Sequence, residues 1–316
     1  MIIELPDTTV SKVARQLVSV REEGGAVALG RVLTLIIATR HGLEEEAIDA
    51  ANDASREHPM RVIVLMTTDA ADAKLDAQIR VGGDAGASEV IVLHALGDAA
   101  SNAESLVTGL LLPDAPVVAW WPDDPPRVPG DSPLGGIAQR RITDASTRPF
   151  AANRLSTLGD SYAPGDTDLA WTRLTHWREQ LAAVLDQPPF EPVTAVEVRG
   201  AASSPSTALL AAWLRLKLDI EVEWKYEPPE EWEHGIKSVR LTRSSGDIVL
   251  ERPSPGLAVL TQPGQPDHDL VLPRRTLREC LAEELRRLDP DVLYGRVITE
   301  AWHLLGPPAT LEHNGA

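Results

Sequence analysis

The chain has 316 residues, long enough for two domains, with 43% hydrophobic and 24% charged residues, a globular composition. Its formal net charge of −17 repels phosphate backbones and anionic lipid, which argues against nucleic-acid and membrane partners that bind through a basic surface. A single cysteine, Cys280, excludes an internal disulfide and any zinc site built on cysteine pairs.

Residues 1–30 read as an N-terminal arm with a helix over 11–22. No apolar secretory core stands near the N-terminus, and apolar runs such as 32–38 are too short to span a bilayer; both features fit a cytoplasmic protein. The run RVLTLIIAT at 31–39 is continuous and β-branched, the pattern of a strand covered on both faces. Alanines at helical spacing follow over 43–57, with Glu44, Glu45 and Glu46 in the first turn, and RVIVLMT at 61–67 is a second strand. Strand, helix and strand in so short a stretch form a βαβ unit with a parallel pair.

A weaker strand over 75–81 is expected at a sheet edge, then a glycine-rich turn at 82–86 and a strand at 89–94. A helix is expected over 98–112, a strand over 116–121 ending in Trp120 and Trp121, and a short helix over 135–141. A long helix over 168–185 has Ala170, Leu174, Trp177, Leu181 and Val184 on one face, with Asp166 or Thr167 as its N-cap. It is expected to bridge two domains, and the proline-rich 187–192 is the linker.

A new cycle follows. Strands are expected at 194–199 and 221–226 around a helix over 204–218, with Pro205 at its first position. Antiparallel strands come next at 236–243, 246–252 and 257–261, and another at 269–272. Helices over 276–288 and 291–305 close the chain. The fold class is therefore α/β: a mostly parallel sheet with flanking helices, then a smaller mixed-sheet α/β domain. The domains expected are 1–30, 31–186, 193–305 and a tail at 306–316.

Motifs for chemistry are sparse. GGDAG at 82–86 has no Lys-Ser/Thr after it and is followed by a strand, so it reads as a turn. The eight histidines form no HExxH and no helical ligand pair, and no GxSxG elbow is present. Cys280 shares an apolar helix face with Leu277, Leu281, Leu285 and Leu288 and reads as a core residue. Asp166 and Asp168 could act as acid and base, although their place at a helix start suits capping. Arg140–Arg141 and Arg274–Arg275 could grip carboxylate or phosphate, or pair with local acids. Trp120 and Trp121 end a parallel strand, where open α/β sheets bind ligands; core and interface readings both stand.

The segments ASREHPMRVIVL (54–65), LDAQIRVGGDAGASEVIVL (75–93), LLLPDAPVVAWWP (110–122), AQRRITDA (138–145), YAPGDTDLAWTRLTHWR (162–178) and LPRRTLRECLAEELRRLDPD (272–291) resemble the glucose-6-phosphate dehydrogenase assembly protein family, OpcA. The resemblance implies a non-catalytic factor without cofactor that binds glucose-6-phosphate dehydrogenase and favours its active oligomer. Some relatives are described as redox-responsive through cysteines; with Cys280 alone, an internal dithiol switch cannot operate here. The resemblance nominates Trp120, Trp121, Arg140, Arg141, Asp166, Asp168, Arg274 and Arg275 as partner-binding residues. The alternative is a regulatory module for a sugar phosphate or NADP, gripped by the arginine pairs.

Overall fold

The computed structural model describes residues 1–23, 32–82, 89–147, 151–229, 231–233 and 235–309. The chain divides into two compact units, each assembled from separated stretches. The first comprises Met1–Asp144, Ala163–Thr167 and Thr276–Pro290; the second comprises Ala145–Tyr162, Asp168–Arg275 and Asp291–Ala316.

In the first unit, β1 (Ile2–Leu5) and α1 (Val10–Glu23) precede β2 (Leu33–Thr39), α2 (Glu44–Ala54) and β3 (Met60–Thr68). β4 (Lys74–Arg80), β5 (Glu89–Leu96), α3 (Ala103–Thr108), β6 (Val117–Trp121), α4 (Pro133–Gly136), β7 (Arg140–Thr143) and β8 (Asp166–Asp168) follow. The sheet runs β1-β4-β5-β3-β2-β6-β7-β8. β5, β3, β2, β6 and β7 are parallel, while β4 and β1 are antiparallel additions at one side. The continuous apolar runs that mark buried strands explain this order: β2, β3 and β6 are buried almost throughout and occupy the centre.

Several expectations are corrected. The 75–81 strand is not an edge, because the short, half-exposed β1 pairs outside it. Four residues of mixed burial carry too little pattern to read as a strand. The 98–112 helix shrinks to a 3₁₀ turn at Gly97–Ala100 and to α3, which Asn102 caps by accepting from the Ser105 N–H at 3.0 Å. The 135–141 helix is instead α4 followed directly by β7. Only Gly82 of the 82–86 turn lies within the described residues, and residues 24–30 of the expected arm lie outside them.

The second unit holds α5 (Ala151–Asp160), α6 (Leu169–Thr172), α7 (Thr175–Leu185), β9 (Ala195–Ala201), α8 (Pro205–Leu218) and β10 (Val222–Glu227). Then come β11 (Ile236–Arg243), β12 (Gly246–Ser254), β13 (Gly256–Thr261) and β14 (His268–Leu272). Its sheet is β10-β9-β11-β12-β13-β14, with β9 and β10 parallel and the rest antiparallel. The expected long helix over 168–185 is broken into α6 and α7, and its N-cap is Asp168 rather than Asp166 or Thr167. α8 is buried on every side from Pro205 to Leu214. The final helix is α10 (Val292–Arg296), running into a π-helical turn (Val297–Ala301) and a 3₁₀ turn (Trp302–Leu304). α9 (Leu277–Arg286) belongs to the first unit, with a full capping box between Thr276 and Glu279, and Cys280 is fully buried.

Strand β9 and helix α8 meet at a glycine. A Cβ on Gly200 would stand 2.4 Å from Thr207 Oγ1 and 2.6 Å from the Gly235 carbonyl oxygen. Gly200→Ala should therefore lower stability by about 2 kcal/mol or more through forced backbone shifts, measured by urea denaturation.

Candidate functional site

The chain leaves β2 toward β3 on one side, then returns to lay β6 on the other side of β2. This reversal is the topological switch point, where open α/β sheets bind ligands beyond the strand C-termini. A cavity of about 300 Å³ lies there, its wall including Thr39, Arg40, Thr67, Trp121, Asp124 and Leu134. Its size is at the lower end for a small-molecule site.

The polar groups around it are engaged with one another. Thr39 Oγ1 donates to Asp123 Oδ1 at 2.9 Å, and Arg40 Nε donates to Asp123 Oδ2 at 2.6 Å. That hydrogen bond and the Asp123 charge raise the Arg40 pKa. After β2 comes α2, whose N-terminus is where a dinucleotide fold would seat phosphate. Here the first turn carries Glu44, Glu45 and Glu46. Glu44 Oε2 accepts from the Gly42 N–H at 2.5 Å. Glu45 accepts two hydrogen bonds from Arg80, at 2.6 and 2.8 Å, and this pairing lowers its pKa. The first turn of α2 is therefore acidic, where a phosphate-binding helix end favours the opposite charge.

The eight nominated residues divide between the units. Trp120 is fully buried with its indole N–H unpaired, and Trp121 is buried against the cavity; neither is an exposed interface residue in this conformation. Arg140 and Arg141 are adjacent on β7, so their side chains leave opposite faces of the sheet. Arg140 makes a buried ion pair with Glu284 of α9 and donates to the Asp289 carbonyl at 2.8 Å. Arg141 pairs with Asp166 and donates to the carbonyls of Ala138, at 3.0 Å, and Pro164, at 2.7 Å. Asp168, fully buried, accepts from the backbone N–H of Ala170 at 2.9 Å and of Ala145 at 3.0 Å. Asp166 and Asp168 thus have separate structural partners and do not converge as an acid–base pair. Arg275 donates to the Thr172 carbonyl at 3.0 Å, and Arg274 is exposed.

Sequence reasoning passed over Thr39 and Arg40. Asp123 is the group that organises them, and its position directly after a strand ending in Trp-Trp-Pro was the available signal. Among the described residues, no group of three or more His, Cys, Asp and Glu side chains could hold a metal ion, and no helix is long and apolar enough to cross a membrane.

Family models match two adjoining parts of the chain. Residues 51–160 match the N-terminal domain, and residues 164–298 the C-terminal domain, of the glucose-6-phosphate dehydrogenase subunit, OpcA. The chain belongs to the OpcA family. The two OpcA matches together include all eight nominated residues. Comparison with curated proteins gave no match. Among solved structures, the chain is similar to KijD10, a 3-ketoreductase from Actinomadura kijaniata, with 10% identity, 86% of this chain and 96% of that one covered, and a TM-score of 0.47. It is also similar to glucose-6-phosphate 1-dehydrogenase from Mycobacterium avium, with 12% identity, 87% and 91% covered, and a TM-score of 0.43.

The Arg140–Glu284 pair gives a direct test of structural against surface roles. Arg140→Met leaves Glu284 buried without its guanidinium and should cost about 3–5 kcal/mol, whereas Arg140→Met with Glu284→Met should recover most of that loss. Urea denaturation of the two variants measures the difference.

Proposed function

We propose that this OpcA family member acts by binding glucose-6-phosphate dehydrogenase and favouring its active oligomer, without performing chemistry of its own. The observation that carries this reading is the family match over both halves of the chain, residues 51–160 and 164–298. The switch-point cavity supports it. In a nucleotide-dependent enzyme of this sheet order the helix after the first central strand would cradle phosphate, and here the first turn of α2 carries three glutamates. Thr39, Arg40 and Asp123 form a hydrogen-bonded set beside the cavity.

Linkage supplies the mechanism. A protein that binds the active oligomer more tightly than the dissociated form shifts the population toward that oligomer. A differential affinity of about 1.4 kcal/mol changes the ratio tenfold. The acidic chain would meet its partner through surface groups rather than through the arginines of β7, which are committed to Glu284 and Asp166. The compartment consistent with this role is the cytoplasm.

Mixing the purified protein with the dehydrogenase should move the dehydrogenase to a larger sedimentation coefficient and change its apparent KM for glucose 6-phosphate. If both quantities stay as they are for the dehydrogenase alone, the proposal fails.

A further inference from the structure

We propose that the second unit carries a binding site for one phosphate-class oxyanion, at the N-terminus of α8, held by Arg252, Arg274 and Ser204. This site is separate from the switch-point cavity and does not rest on the proposed function.

Three buried arginines of the first unit each have a carboxylate: Arg61 has Glu89, Arg140 has Glu284 and Arg141 has Asp166. Arg243, buried in the second unit, lies in the electrostatic reach of Glu191. Arg252 is different. It is 4% exposed, and no carboxylate among the described residues pairs with it. One Nη donates to the Leu272 carbonyl at 2.7 Å, and the guanidinium lies 5.1 Å from the centre of the Trp177 ring. Its Nε is buried and has no hydrogen-bond partner. Burial first, and the neighbouring positive charge of Arg274 second, push its pKa down to about 10. A guanidinium so placed is an uncompensated charge, which folded proteins carry only at a cost.

Arg252, Arg274 and Arg173 line a small cavity with Trp177, Ser204, Ser206 and Gly235, and Arg173 donates to Ser146 Oγ at 3.1 Å. The cavity is bounded by the start of α8, a helix of 14 residues. Ser204 stands at the N-cap position, but its side chain makes no capping hydrogen bond, and Pro205 has no N–H to offer. Ser206 turns its hydroxyl to the Ala170 carbonyl at 2.9 Å. The first-turn N–H groups of a helix and its dipole favour an anion at this end. Three guanidinium groups, one of them also bonded to Ser146, a hydroxyl not used for capping and a helix N-terminus therefore converge on one small space.

Its volume selects the ligand. At about 30 Å³ the space holds one compact group and no more. A doubly charged tetrahedral oxyanion offers acceptors in several directions and suits a site lined by several guanidinium groups, which a planar monoanionic carboxylate does not. The remainder of a phosphate monoester would extend outward past the exposed Arg274.

The test is calorimetry and thermal unfolding of the full chain alone, at fixed ionic strength, with inorganic phosphate, glucose 6-phosphate, glucose and acetate. Phosphate and glucose 6-phosphate should bind and raise Tm, whereas glucose and acetate should do neither. A preference for glucose 6-phosphate over inorganic phosphate would identify the ester as the source of the group. Arg274→Glu, at an exposed position, should weaken phosphate binding by about tenfold or more. Arg252→Met should abolish the response of Tm to phosphate. Absence of heat and of a Tm shift with both phosphate ligands at millimolar concentration, or an unchanged affinity in Arg274→Glu, would overturn the proposal. The second criterion decides even if Arg252→Met does not fold.

Discussion

The first unit depends on two arginines that leave opposite faces of one four-residue strand. β7 brings Arg140 to Glu284 and the Asp289 carbonyl on the segment Thr276–Pro290, and Arg141 to Asp166 and the Pro164 carbonyl on Ala163–Thr167. These are the two stretches that join this unit from distant parts of the sequence. Their attachment is ionic and buried rather than purely apolar. Such pairs contribute little net stability compared with a hydrophobic substitute, but breaking one leaves a stranded charge. The arrangement therefore penalises misplacement of either segment more than it rewards correct placement.

The same charges bear on function. An Arg-Arg pair in an acidic chain looks like a grip for an anionic partner. Burial decides against it here, because each guanidinium has already found its carboxylate inside the unit. The tryptophans behave alike. Trp120 and Trp121 alternate across β6, and a central parallel strand covered on both faces buries both rings. A surface that recognises another protein must then be drawn from residues with milder signatures.

What could be read from the sequence divides along the range of the interactions. The central strands were legible because 33–39, 60–66 and 117–121 are apolar almost without interruption, and such runs are stable only under cover on both sides. The hairpins of the second sheet were legible through alternation and turn residues such as Ser245 and Gly246. β1 was not, because its four residues gain their strand character only by pairing with β4. The break between α6 and α7 was hidden for a related reason: residues 169–185 keep helical spacing throughout, and Asp168, which caps α6 through the Ala170 N–H, is also tied to the Ala145 N–H 23 positions away. Partner assignments among Arg140, Arg141, Asp166 and Glu284 were beyond local pattern altogether.

Arg252 illustrates the converse. In sequence it sits in Glu-Arg-Pro-Ser near the end of a strand, where an exposed arginine is the ordinary reading. The fold buries it, and among the described residues its surroundings supply a carbonyl and a tryptophan face but no paired acid. In a chain with 47 acidic residues a counter-charge is easily provided, as Arg61, Arg140 and Arg141 demonstrate. A buried cation without one, beside a second cation and a helix N-terminus, concentrates positive potential in a protein whose overall field is negative. Long-range repulsion from the acidic surface slows the approach of any anion but is screened beyond about 10 Å at ordinary ionic strength. At contact the local arrangement dominates, so a strongly acidic protein can still hold a phosphate group at one point.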